Sequence, residues 1–289
     1  MAMSATILDG RAAREALIPG LIERIKSLSF VPTLAIIQVG DRPDSTSFIG
    51  AKKSFAKKIG VTVKHIQVPE SVSQQKLIGI VRECNADKDI HGIIVQLPLP
   101  VSLDRRAVIE AIDPRKDADA LTSYRVERWS KGGEDALLPA TARGIREILA
   151  HYRIALSGKR VCVVGRSDLV GTPIAAMCRD AGAAVTVCHS KTLDLPAETK
   201  KADILIVAAG KPGLIGKEHV HQGQIVIDVG INTVHGEKLE DEVEGKKLVG
   251  DADFEAVKGI VSAITPVPGG VGPMTVLALF ENLVDLCKN

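Results

Sequence analysis

The chain has 289 residues, 25% of them charged and 45% hydrophobic, with a formal net charge of +2. That length supports two domains with substantial cores, and so small a net charge supplies no field that would gather nucleic acid or an anionic membrane surface. No apolar run approaches the ~20 residues of a bilayer span, residues 1–10 lack the pattern of a secretory leader, and five cysteines without a Cys-x-x-Cys pair point to a reduced, cytoplasmic setting.

Seven histidines show no ligand spacing beside cysteine or glutamate, so no metal site is expected. Aromatic residues are only 3%, which leaves Val, Ile, Leu and Ala to build the core. Short apolar runs at 33–39, 61–68, 92–97, 160–164, 184–188, 204–207 and 225–229 alternate with segments of period near 3.6 at 45–59, 74–85, 141–152 and 172–181. This alternation predicts an α/β chain with parallel sheets and right-handed crossovers. The polar stretches at 104–123 and 130–135 interrupt the rhythm before a new strand–Gly–helix unit starts at Arg160, which puts a domain junction near residue 138. A polar hairpin is expected at 238–249 and a final helix at 273–287, whose domain composition alone leaves open.

In the helix at 45–59, Phe48, Lys52, Phe55 and Ile59 share one face. A lysine on an apolar stripe either snorkels to water or is a partly desolvated amine, usable as base or proton donor near neutral pH. Gln96 ends the apolar run before Leu97 and Pro98, where its amide must find a partner. Lys52, a substrate and a loop backbone are the alternatives. The acidic loop 113–119 is either a turn or a place to hold heterocycle N–H groups.

Residues 160–173 read as a buried strand ending in Gly165, then Arg166, Ser167, Val170 and Gly171 at a helix start. Glycines there permit a tight turn and close approach of a phosphate, although the G-x-G-x-x-G spacing is absent. The next strand ends in His189, Ser190, Lys191 and Thr192 rather than Asp or Glu. Without an acid for the ribose hydroxyl, and with Arg166 and Lys191 close in sequence, the pattern favours the 2′-phosphate of NADP over NAD. Both cations also fit a plain solvated surface. Small residues at two further strand ends, around Ala209 and around Gly230 and Ile231, let a cofactor lie close. Residues 265–275 form a Pro- and Gly-rich loop that leads into the last helix.

These elements, in order, resemble the bifunctional methylenetetrahydrofolate dehydrogenase/cyclohydrolase family across essentially the whole chain. The resemblance rests on L-D-G at 8–10, V-G-D-x-P-x-S at 39–45, V-Q-L-P-L-P at 95–100, I-x-P-x-K-D at 112–117, D-V-G-I-N at 228–232 and T-P-V-P-G-G-V-G-P-M-T at 265–275. It implies a catalytic folate-binding domain of residues 1–138 and 272–289, a Rossmann-type dinucleotide-binding domain of residues 139–271, a cleft between them, and a homodimer. It further implies that Lys52 is the catalytic lysine, that Gln96 tunes it and that Asp119 anchors the pterin. Phe48, Leu97, Pro98, Pro268, Gly269 and Gly270 would contact the tetrahydrofolate substrate. Gly165, Arg166, Ser167, Val170, Gly171, Ser190, Lys191, Ala209, Gly230, Ile231 and Thr275 would hold NADP.

Three departures stand out. Phe48 replaces the family's tyrosine and lacks its hydroxyl. Ala120 replaces a glycine after Asp119. Ala140 and Ala142 alter a P-C-T-P-x-G string at 139–144. Two rival readings are a non-catalytic or monofunctional paralogue, for which Phe48 and Ala120 speak, and a Rossmann-type dehydrogenase of another small substrate, which leaves V-Q-L-P-L-P unexplained.

Overall fold

The computed structural model describes residues 5–130, 136–235 and 246–288. In chain order the elements are β1 (Thr6–Ile7), α1 (Gly10–Lys26), β2 (Thr33–Val39), α2 (Pro43–Ile59), β3 (Thr62–Val68), α3 (Gln74–Ala86), β4 (Gly92–Val95), α4 (Arg105–Glu110) and α5 (Ser123–Ser130). There follow α6 (Ala140–His151), β5 (Arg160–Val164), α7 (Gly171–Asp180), β6 (Ala184–Cys188), α8 (Leu195–Thr199), β7 (Ile204–Val207), β8 (Ile225–Asp228), β9 (Asn232–His235), β10 (Lys246–Val249), α9 (Phe254–Val257), β11 (Ala263–Ile264) and α10 (Val271–Leu286). Two compact units result: residues 15–140 with 276–289, and residues 1–14 with 141–275.

The first unit is built on a parallel sheet of order β3-β2-β4, with Ile37 opposite both Ile66 and Val95. Central β2 is buried from Leu34 to Val39, as a near-continuous apolar run predicts for a strand covered on both faces. Ala35, Ile37 and Val39 pack with Leu77 and Val81 of α3 and Val108 of α4. Within the same unit, Phe55 of α2 meets Phe280 of α10 at 5.5 Å between ring centroids. Helix α2 opens on Pro43, whose missing N–H costs nothing at that position, and stops at Gly60 in the left-handed region, φ 80°.

The second unit is an all-parallel six-stranded sheet of order β1-β11-β8-β7-β5-β6. The strand order reverses between β5 and β7, and it is at such a switch point, at the carboxyl edge, that open α/β sheets bind ligands. Residues 1–14, assigned to the first domain from sequence, group here instead. Thr6 pairs with Ala263, Tyr152 Oη donates to the Asp9 carbonyl at 3.1 Å, and Gly10 lies so close to Gly270 that a Cβ would meet its carbonyl oxygen at 1.8 Å. β9 and β10 pair antiparallel; of the hairpin expected at 238–249 only 246–249 are described, and their partner strand, 232–235, lies before the expected range. Residues 236–245, like 131–135 of the other polar stretch, lie outside the described residues. Among the described residues, no helix is long and apolar enough to cross a membrane.

Candidate active site

In the first unit, α2 and the end of β4 bring two expected residues into direct contact. Lys52 Nζ donates to Gln96 Oε1 at 2.9 Å. The other end of that amide is fixed, since Gln96 Nε2 donates to the Leu97 carbonyl at 2.8 Å and the Gln96 backbone N–H to the Ile37 carbonyl at 2.8 Å. Gln96 therefore takes two of the three partners that the sequence left as alternatives, a lysine and a loop backbone, and its oxygen accepts from the lysine. The stripe on α2 grades from Phe55 and Ile59, both buried, through half-buried Lys52 to Phe48, which is 36% exposed. Burial pushes the Lys52 amine below the ordinary lysine value, and the charge of Asp119 works against that shift. Burial likewise pushes the Asp119 carboxyl upward, opposed by Lys52. Each charge is disfavoured by burial and supported by the other.

Asp119 sits in a loop held from several sides of its own unit. Its carbonyl accepts from the Ala140 N–H at 3.3 Å, and Asn282 of α10, fully buried, donates to the carbonyls of Ala118 and Leu138, both at 3.0 Å. Buried Asp117 closes the loop by accepting the Thr122 N–H at 2.8 Å. Its other oxygen has no hydrogen-bond partner among the described residues, and burial pushes the carboxyl up to about 6. Ala120 adopts φ 55°, the left-handed conformation that a glycine takes without strain. Ala120 thus holds, at some strain, a conformation in which glycine would be unstrained. The Leu97–Pro98 and Val267–Pro268 peptide bonds are cis.

In the second unit the strand ends build a cleft of about 500 Å³ at the β5/β7 switch point. Gly165 has φ 127°, and a Cβ on it would lie 2.2 Å from the Ala208 carbonyl oxygen. A Cβ on Gly171 would lie 2.3 Å from the Gly165 carbonyl oxygen. Both glycines are fixed by close backbone approach, as the strand–Gly–helix pattern predicts. Ser167 caps the turn, its Oγ accepting the Gly171 N–H at 3.3 Å. Of the expected dinucleotide residues, Gly165, Arg166, Ser167, Ser190 and Ala209 line this cleft, joined by His189, Lys211 and Leu214 among others.

Val170, Gly171, Lys191, Gly230, Ile231 and Thr275 are outside that lining. Lys191 is carried on a turn whose other residues, His189, Ser190 and Thr192, do line the cleft. His189 and Thr192 bond each other through N–H groups and oxygens, the Lys191 N–H donates to His189 Nδ1 at 3.2 Å, and Lys191 is exposed. Thr275 Oγ1 is turned back on the Val271 carbonyl at 3.2 Å. Gly269 has φ 112°, and a Cβ on Gly270 would lie 2.6 Å from the Pro266 carbonyl oxygen, so the loop from Pro268 to Gly270 also needs its glycines. That loop belongs to the second unit, and Phe48, Lys52, Leu97, Pro98 and Asp119 to the first.

A pair of buried aspartates was not singled out from sequence. Asp251 accepts the N–H groups of Ala209, Gly210 and Lys211 and the Asn232 side-chain amide, all at 2.7–2.8 Å. Asp228 accepts from Gly230, Asp251 and Ala252 at 2.8–3.0 Å. Burial, with the neighbouring Asp251 charge adding to it, pushes the Asp228 carboxyl up to about 6. A Cβ on Gly250 would stand 1.9 Å from Asp228 Oδ2, and one on Gly230 2.3 Å from Asp251 Cγ, so those glycines make room for the carboxylates. The detectable signal was glycine beside aspartate at two places, 228–230 and 250–251.

A parallel sheet with glycine-built strand ends at its switch point, joined to a second α/β unit that holds a desolvated lysine, defines a two-domain enzyme of the dinucleotide-dependent α/β class. Within that class the chain belongs to the tetrahydrofolate dehydrogenase/cyclohydrolase family. Residues 8–119 match the model of that family's catalytic domain and residues 139–289 that of its NAD(P)-binding domain. The chain is 43% identical over 287 residues to the bifunctional protein FolD of Nautilia profundicola, covering 98% of each. The crystal structure of the bifunctional FolD dehydrogenase/cyclohydrolase of Campylobacter jejuni matches with a TM-score of 0.91 and 39% identity, covering 99% of both chains. The Trypanosoma brucei enzyme, solved with NADP cofactor and an inhibitor, matches with a TM-score of 0.92 and 35% identity, over 99% of this chain and 98% of that one.

Proposed function

We propose that this chain oxidises 5,10-methylenetetrahydrofolate to 5,10-methenyltetrahydrofolate with NADP and hydrolyses the product to 10-formyltetrahydrofolate. NADP, when bound, accepts the hydride. The residues present fit it: the 165–171 turn leaves no room for side chains at Gly165 and Gly171, and the adjoining cleft has Arg166 and no acidic residue in its lining. The oxidation then asks the protein mainly for positioning, which falls to that turn and to Ser167, Ser190 and Ala209. In the hydrolysis, water adds to the one-carbon atom and Lys52 accepts the proton it loses. That proton passes to the departing ring nitrogen as the C–N bond breaks, and the remaining hydroxyl proton is released to solvent as the formyl C=O forms, so one proton is lost overall. Gln96 keeps the amine aimed, Asp119 holds the pterin and balances the charge formed on the lysine, and Phe48 offers a ring for stacking.

The single observation that carries this reading is the 2.9 Å contact between Lys52 Nζ and Gln96 Oε1, because it places a desolvated amine against a rigidly oriented acceptor. Lys52→Met is expected to abolish hydrolysis of methenyltetrahydrofolate while dehydrogenation retains measurable activity. Equal residual rates in the two assays would overturn the assignment. Phe48, with no hydroxyl to relay a proton, favours a second reading as a dehydrogenase without hydrolysis, and the same two assays on the unmodified protein decide between them. The working form is a cytoplasmic homodimer, a reading supported by the family resemblance and by cysteines that are all free thiols.

A further inference from the structure

Two residues with long cationic side chains, Arg166 and Lys211, line the dinucleotide cleft together with His189, and none of its lining residues is acidic. Lys211 follows β7, on the opposite side of the switch point from the turn that bears Lys191. Its place depends on Asp251. Three consecutive N–H groups, from Ala209, Gly210 and Lys211, converge on the Asp251 carboxylate at 2.7, 2.8 and 2.8 Å, and Gly210 has φ 64°. Such a run of N–H groups at a strand end is an anion-binding concavity. Here it is filled by the protein's own buried carboxylate, so this wall has no backbone donors left for a ligand phosphate. What it can present to an anion is the side chain of Lys211.

We propose that Lys211 is a specificity-determining residue of the dinucleotide site, favouring the extra phosphate of NADP over NAD, and that Asp251 is the positioning residue that holds Lys211 at the cleft. This rests on the reading of the chain as an NADP-dependent dehydrogenase. A 2′-phosphate adds up to two negative charges to the ligand, and a cleft with two long cations and no acidic side chain rewards that charge more than it rewards NAD. The carboxylate of Asp251 does not line the cleft, so its effect reaches the ligand only through the 209–211 wall.

The test is calorimetric titration of NADP and of NAD into the unmodified protein, Lys211→Met and Asp251→Asn, with hydrolysis of methenyltetrahydrofolate followed in parallel. Loss of one charge-assisted contact is expected to weaken NADP binding by Lys211→Met about tenfold or more, with NAD binding nearly unchanged. Asp251→Asn is expected to weaken both dinucleotides, NADP more than NAD, while hydrolysis, which needs no dinucleotide, is retained. Lys211→Met lies on an exposed side chain and keeps the test open should Asp251→Asn not fold. NADP affinity unchanged in Lys211→Met, or equal losses for NADP and NAD, would overturn the specificity role. Hydrolysis falling in step with dinucleotide affinity in Asp251→Asn would reduce that residue to general structural support and overturn its positioning role. An unmodified protein that binds neither dinucleotide would instead refute the underlying functional reading.

Discussion

Replacing Gly165 by alanine measures how far the dinucleotide cleft depends on bare backbone. The new Cβ would stand 2.2 Å from the Ala208 carbonyl oxygen, so the ends of β5 and β7 would have to part by about 1.2 Å to reach an ordinary contact near 3.4 Å. The backbone at φ 127° adds a strain of ~1–3 kcal/mol for an L-residue, and the forced displacement a further ~1–3 kcal/mol. Their sum, ~2–6 kcal/mol, is within the ~5–15 kcal/mol that holds a typical protein folded. The variant is therefore expected to fold, with Tm roughly 4–12 °C lower at about 2 °C per kcal/mol for a chain this long. At the site, an ångström of misplacement costs on the order of 100-fold in rate, and that loss belongs to dehydrogenation. The assay pairs NADP-dependent oxidation of methylenetetrahydrofolate with hydrolysis of supplied methenyltetrahydrofolate. Hydrolysis should largely survive. Oxidation with wild-type KM for NADP, together with a wild-type Tm, would refute the steric account of this turn.

Phe48→Tyr restores a hydroxyl at the open end of the α2 stripe and is expected to change the hydrolysis rate more than NADP affinity. An unchanged rate would make the lost hydroxyl irrelevant. Asp117→Asn tests the buried carboxyl under the Asp119 loop. Its folded value of about 6 lies above the ordinary 3.8, so the native state holds this proton more tightly than the unfolded chain does. Stability is then lost as pH rises from about 4 to about 6, by at most roughly 3 kcal/mol, and stays lost above that. Thermal melts should show Asp117→Asn faring better relative to the unmodified protein at about pH 7.5 than at about pH 4.5. A difference in Tm that does not vary with pH would contradict the raised value.

Local signals gave the sequence reading most of its reach. The apolar runs at β2, β5 and β7 are buried strands, and the α2 stripe placed Lys52 on the packed side of its helix because a 3.6-residue period maps directly onto one face. Gln96 was legible because an amide at the end of an apolar run demands partners. What escaped was set by distance along the chain. β1 and β11 are two residues each, too short to show a period, and become strands only through distant partners, β11 beside β8 and β1 beside β11. Helix α1 has little one-sided patterning and contains Pro19, so its residues do not announce it. Asp251 owes its importance to N–H groups about forty residues earlier. Lys191 and Lys211 are indistinguishable as sequence. Only the self-bonded turn at 189–192 and the Asp251 clamp separate them, by leaving one outside the cleft lining and the other within it.

The pairing of Thr6 with Ala263 has a consequence for how the polypeptide assembles as it is made. The edge strand β1 of the six-stranded sheet precedes the strand it docks on by some 250 residues, so it is made well before its partner exists. Closing so long a loop costs roughly 5 kcal/mol of chain entropy, more than two residues of ladder return unaided. β1 therefore stays unpaired until β11 has been made and docked beside β8.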